Sequence, residues 1–199
     1  MKIICYGDSN TYGYDPVGQP ELRYPAHSRW VDLVSRNLPE SSKIFNAGQN
    51  GREIPDNGWE SAAGAADQLA AATEAGDLII IMLGGNDILL GGCSAEKAAE
   101  KMRRFLGAIK MEAPGREILL AAPVIMEEGF WVPDSWYIEE SAQLVKKYGT
   151  LAEEMDIRFA DTNCWGVTLT GDGVHFTKEG HKAFAEGLTK CLKLWYSII

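Results

Sequence analysis

The chain has 199 residues, 46% of them hydrophobic and 24% charged, with a formal net charge of −9. That length suits a single domain, residues 1–199, able to bury roughly 70% of its unfolded surface. The acidity disfavours nucleic acid and anionic membrane surfaces as partners, leaving a neutral small molecule as the expected ligand.

In chain order, the apolar run within Lys2–Tyr6 reads as a buried strand. It begins almost at Met1 with no cleavable apolar segment before it, and no later run approaches a membrane span, so a cytoplasmic protein is expected. Gly7-Asp8-Ser9-Asn10 follows directly, lifting a serine onto the carboxyl end of that strand, where open α/β sheets place their ligands. Tyr12 and Tyr14 come next, then a helix over Arg29–Leu38 with Ser28 as its start signal. A second strand, Lys43–Asn46, opens into Asn46-Ala47-Gly48-Gln49-Asn50-Gly51-Arg52, and a helix follows over Trp59–Thr73. Leu78–Leu83 is continuously apolar, as a central parallel strand covered on both faces must be, and it ends in Gly84-Gly85-Asn86-Asp87.

The second half keeps the rhythm. A helix over Ala95–Met111, started by Ser94, precedes a strand at Glu117–Ala121. A loop carrying Phe130, Trp131 and Trp136 then leads into a helix over Ser135–Met155 and a strand at Ile157–Ala160. Asp172-Gly173-Val174-His175 sits on the next loop, and Thr177 starts a last helix from Lys178 to about Tyr196. Five β-α units predict a doubly wound, flavodoxin-like three-layer sandwich with a parallel sheet in the order 2-1-3-4-5. In that order the loops holding Ser9 and Asn86 are neighbours. Cys5, Cys93, Cys164 and Cys191 are far apart and form no C-x-x-C pair, so buried free thiols are expected, with neither zinc nor disulfides.

Serine becomes a nucleophile when a base takes its proton and a third group fixes the base's tautomer. Of the three histidines, His181 falls inside a helix and His27 has no acid three or four residues away. Only His175 has a carboxylate, Asp172, three residues before it on a loop. Each motif also has a plainer reading: a capping serine, an Asp-Gly turn, a Gly/Asn loop. Asn86 could present a side-chain amide to a developing oxyanion, and Gly51 a backbone N–H.

Taken together, Gly7-Asp8-Ser9-Asn10, Asn46–Gly51, Gly84–Asp87 and Asp172–His175 resemble the four ordered blocks of the SGNH hydrolase superfamily, the GDSL esterases and lipases. The resemblance implies Ser9 as nucleophile, His175 as base, Asp172 as orienter and an oxyanion hole from Ser9 N–H, Gly51 N–H and Asn86. Gly48 is a competing match to Gly51, and Asn10 stands where many members have leucine. Gly7–Tyr14, Arg29-Trp30, Asp77–Gly84 and Gly173–Thr177 look like the bacterial arylesterase and acyltransferase branch, with departures mainly between Pro123 and Trp136. That branch implies a serine esterase for short acyl esters, with acyl transfer to alcohols in some members and no metal or organic cofactor.

Asn10, Tyr12, Tyr14, Trp131 and Trp136 are the candidate pocket residues, a crowded wall that suits short acyl chains better than lipids. The apolar ending Leu194–Ile199 should pack on the body or on another subunit, and the branch's oligomers favour a homo-oligomer. Two other readings are weighed against the esterase. One is a carbohydrate O-deacetylase with the same chemistry. The other is a non-catalytic flavodoxin-like module that cradles an anion with Gly7–Thr11.

Overall fold

A computed structural model describes residues 1–18, 22–57 and 60–196. Five strands form one sheet: β1 (Lys2–Gly7), β2 (Lys43–Gly48), β3 (Leu78–Met82), β4 (Glu117–Ala121) and β5 (Arg158–Ala160). All neighbours are parallel and the order is β2-β1-β3-β4-β5, as the alternation of elements predicted.

The central strand shows why the sheet is buried on both sides. Ile79 and Ile81, with Leu83 just beyond the strand, join the core under helices α3 (Ala62–Ala72), α5 (Ala95–Glu112) and α6 (Ser135–Glu154). Leu78, Ile80 and Met82 point the other way, toward α2 (Trp30–Ser35) and α7 (Lys178–Tyr196). Alternating side chains of one strand thus feed two cores. On α5 the buried set Ala98, Met102, Phe105, Leu106 and Ile109 recurs at helical spacing, giving the apolar stripe that faces the sheet.

Two short helices lie outside the sequence prediction: α1 (Ser9–Tyr12) and α4 (Gly85–Leu89). Both begin at strand ends, and they carry Ser9 and Asn86. Helix starts are partly as expected. Ser94 accepts the Lys97 N–H, and Thr177 accepts the Gly180 N–H at 2.9 Å. Ser28, in contrast, is not a cap; Arg29 holds that position without a side-chain bond, since a guanidinium has no acceptor for the helix N–H groups, and it pairs with Asp32 at 2.8 Å instead. The expected start at Trp59 lies outside the described residues.

The sheet register levels Gly7 with Gly48 on one side and with Met82 on the other. Gly48 must be glycine, since a Cβ there would stand 2.1 Å from the Tyr12 backbone nitrogen and push α1 off the sheet. Cys5 and Cys93 are buried free thiols, but Cys164 is exposed and Cys191 half-buried, a correction to the expectation of four buried thiols. Trp195 and Tyr196 pack against the α7-side core while Leu194 is exposed, and residues 197–199 lie outside the described residues. No described helix is long and apolar enough to cross a membrane.

His181 is fully buried on α7 between the Tyr24 and Phe176 rings, and neither of its ring nitrogens has a partner among the described residues. Burial, reinforced by the Arg29 and His175 charges, lowers its pKa from 6.5 to about 3. The unfolded chain therefore binds a proton below about 6.5 that the folded chain refuses until about 3, so this residue withdraws stability as pH falls through that window. His181→Phe keeps an aromatic ring there and removes the titration. Urea unfolding at pH 7 and pH 4.5 should show a smaller acid-induced loss of stability for the variant than for the wild type.

Candidate active site

Asp8 ends the run out of β1 and caps α1, its carboxylate accepting the Asn10 N–H at 2.9 Å. Burial pushes the Asp8 carboxyl up to about 6, against the pull of the Asn10 N–H and of nearby His175. The cap fixes Ser9 as the first residue of the helix, so the Ser9 N–H has no acceptor within α1.

Residues 166 positions apart then meet. Ser9 Oγ lies 3.0 Å from His175 Nε2, and His175 Nδ1 lies 2.7 Å from Asp172 Oδ2. The other Asp172 oxygen accepts two backbone N–H groups, from Val174 at 2.8 Å and His175 at 2.9 Å. Burial alone would raise the Asp172 carboxyl, but the imidazole and these two N–H donors hold it far below the usual carboxylate range. All three side chains are buried, with Ser9 at 7% exposure and His175 at 3%. This geometry lets the imidazole take the serine proton while the carboxylate holds the proton on Nδ1.

Asn10 is the staple between the two loops. Its Nδ2 donates to the Val174 carbonyl at 3.1 Å and its Oδ1 accepts the Phe176 N–H at 2.9 Å, straddling His175. Sequence reasoning placed Asn10 only among pocket residues. It does border the cleft beside Ser9, but its amide is spent on backbone.

The cleft itself is small, about 20 Å³, and is lined by Met82, Pro123, Val124 and Met126 together with the Ser9, Asn86 and Val174 turns. Tyr12 and Trp136 are not in that lining, contrary to expectation. The Tyr12 ring is stacked under the Arg23 guanidinium at 4.0 Å, and Trp136 leans edge-on against Tyr137. Tyr14 and Trp131 are also absent from the lining, yet both touch the imidazole, with ring centroids 4.7 and 5.4 Å from His175. They flank the open side of the base instead of walling the cleft.

The two glycines of the β2 loop differ in what their N–H groups do. The Gly48 N–H donates to Asn46 Oδ1 at 2.9 Å. The Gly51 N–H has no partner among the described residues, and its φ of +72° turns the loop in a way that favours glycine. Asn86 is 7% exposed, and one of its amide hydrogens goes to the Arg52 carbonyl at 3.0 Å, while the other has no partner among the described residues.

Arg52, which sequence reasoning passed over, reaches the Gly7 carbonyl at 3.0 Å and lies over the Tyr6 ring at 4.1 Å. Its position directly after Gly51 was the available signal. No group of three or more His, Cys, Asp or Glu among the described residues could hold a metal ion. A larger hollow of about 400 Å³ between α5 and α6 is lined by the pairs Lys147–Glu96 and Arg103–Glu154, remote from this chemistry.

A sequence profile of the GDSL-like lipase/acylhydrolase family matches residues 5–183. No curated protein matches the chain by sequence. Among solved structures, a protein from Agrobacterium tumefaciens provisionally named an arylesterase is 28% identical, with a TM-score of 0.84 over 100% of this chain and 99% of that one. A carbohydrate acetylesterase family member from Sinorhizobium meliloti is also 28% identical, with a TM-score of 0.83 over 97% of each chain. The aryl esterase of M. smegmatis, at 24% identity and a TM-score of 0.79 over 100% of this chain and 99% of that one, shares the fold.

Replacing Asn10 by alanine should cost about 1–3 kcal/mol, since it strands the Phe176 N–H and the Val174 carbonyl. Urea unfolding would read that loss. Because both bonds border His175, turnover should also fall, by more than KM rises.

Proposed function

The chain belongs to the GDSL-like lipase/acylhydrolase family, and from that premise we propose that it is a serine esterase for short acyl esters working through an acyl-serine intermediate. The observation that carries this reading is the unbroken relay Ser9 Oγ, His175 Nε2, His175 Nδ1, Asp172 Oδ2, with contacts of 3.0 and 2.7 Å.

Ser9 Oγ attacks the ester carbonyl carbon as its proton passes to His175 Nε2. The carbonyl oxygen becomes an oxyanion, held by the Ser9 N–H, the Gly51 N–H and the free hydrogen of the Asn86 amide. Gly51 is favoured over Gly48 because the Gly48 N–H is already engaged with Asn46. The carbon–oxygen bond to the alcohol then breaks, and the imidazolium returns its proton to the departing alkoxide. Water enters, loses a proton to His175 and attacks the acyl-serine. The bond between the acyl carbon and Ser9 Oγ then breaks, the carboxylic acid is released, and the imidazolium returns its proton to Ser9 Oγ. Asp172 stays ionised throughout and stabilises the imidazolium. An alcohol taking the place of water at the second step would give acyl transfer.

The small cleft beside Ser9, bordered by Met82, Val124 and Met126, supports a short acyl group over a long one. The carbohydrate acetylesterase family member among the similar structures keeps an acetylated sugar as a second substrate class, since an acetyl group fits the same cleft. An anion-cradling role for Gly7–Thr11 is disfavoured, because Ser9 Oγ is committed to an imidazole and Asp8 brings a carboxylate to the same turn.

Hydrolysis of p-nitrophenyl esters from acetate to octanoate should peak at acetate and decline steeply beyond. Ser9→Ala should lower turnover by several orders of magnitude, and Asp172→Asn by a smaller factor. A folded Ser9→Ala protein with near-native turnover would sink the mechanism. Comparing an acetylated sugar with p-nitrophenyl acetate decides between the two substrate classes.

A further inference from the structure

Gly51 and Asn86 stand on different loops, after β2 and after β3, and nothing covalent fixes the distance between them. Two hydrogen bonds join the loops. Asn86 Nδ2 donates to the Arg52 carbonyl at 3.0 Å, and the Ile54 N–H donates to Asp87 Oδ2 at 2.9 Å. A third element, α5, then contributes Lys101. Its ammonium is 2.8 Å from Asp87 Oδ1, on the asparagine side, and 3.4 Å from Glu53 Oε2, on the glycine side.

The environment makes this contact strict. The Asp87 side chain is fully buried and that of Lys101 only 14% exposed. A carboxylate so placed needs a cationic partner, because an unpaired buried charge is costly. Lys101 is therefore held by Asp87 as firmly as it holds it, and Glu53 lends it a second carboxylate from the other loop.

We propose that Lys101 is a positioning residue for ester hydrolysis, clamping the Gly51 and Asn86 loops so that both donors converge on the oxyanion. The inference rests on the esterase reading. Lys101 touches no reacting atom and acts only through Asp87 and Glu53. Its influence falls on the transition state, because the donors are aimed at where the oxyanion forms and not at the ground-state carbonyl. Misplacing such donors by about 1 Å costs up to about 100-fold in rate. The acyl cleft, lined by Met82, Val124 and Met126, and the aromatic rings beside His175 are untouched, so substrate affinity should hold.

The test compares wild type, Ser9→Ala, Lys101→Met, Lys101→Arg and the double variant Lys101→Met/Asp87→Asn, using p-nitrophenyl acetate kinetics and thermal unfolding. Lys101→Met should lower kcat by about 10- to 100-fold with KM changed less than about twofold, and Lys101→Arg should recover most of the loss. The double variant leaves no buried charge unpaired, so it should melt near the wild type and yet remain slow. It carries the test if Lys101→Met fails to fold. A folded Lys101→Met or double variant with wild-type kcat would overturn the positioning role, making the pair a contributor to stability alone. A wild type with no Ser9-dependent activity on any ester would overturn the esterase reading, and this inference with it.

Discussion

The parallel register at the carboxyl edge of the sheet is the constraint on which the site depends. Gly7, Gly48 and Met82 stand level because β1 pairs with both β2 and β3 in fixed alignment. From that level start the turns holding Ser9, Gly51 and Asn86. A slip of one residue would exchange the two buried faces of β1, so the hydrophobic pattern that protects the cores also protects the geometry of the site. Ile3 and Cys5 on one face and Ile4 and Tyr6 on the other enforce it. The alignment of the three turns is in this sense inherited from core packing.

Side chains finish what the register begins. Asn10 fastens the serine turn to the histidine turn, while Asn46 donates to the Thr11 carbonyl at 2.7 Å and ties the end of β2 to α1. Arg52 closes the group by gripping the Gly7 carbonyl. Each of these polar groups meets backbone that the sheet ladder leaves unpaired: Arg52 at the end of β1, Asn46 in the short helix α1, and Asn10 on the loop that carries His175.

Much of this was legible in the chain. Apolar runs such as Leu78–Leu83 and the helical stripe on Ala95–Met111 report their own periods and so the strands and long helices, while the strand order followed from reading five alternating β-α units as a flavodoxin-like sheet. Ser9, Asp172 and His175 could be singled out because so few histidines compete and only one has an acid in reach. The short helices α1 and α4 were missed because four or five residues are too few to display a period. Aromatic character says nothing about direction: the Tyr12 ring meets the Arg23 guanidinium and the Trp136 ring meets Tyr137, contacts that no spacing announces. Lys101 was invisible: it falls on a charged helix surface in sequence, and only the fold brings it to Asp87 and Glu53.

One connection on the open side of the site remains. The segment from Glu127 to Val132 runs alongside Gly171–Gly173, with Glu127 N–H on the Gly173 carbonyl, Phe130 N–H on Gly171 and Trp131 N–H on Asp172, at 3.0 to 3.1 Å. Gly129 passes so close that a Cβ would stand 2.4 Å from the Asp172 carbonyl carbon. The segment carrying Phe130 and Trp131 is thus laced to the backbone bearing Asp172 and His175. Remodelling the rim to admit a new leaving group would tug on Asp172 in the same motion. The rim and the Asp172 turn are mechanically geared together, so this mouth changes most readily by exchanging side chains on a preserved trace, with the exposed Phe130 the freest to change and Trp131 held against the His175 ring.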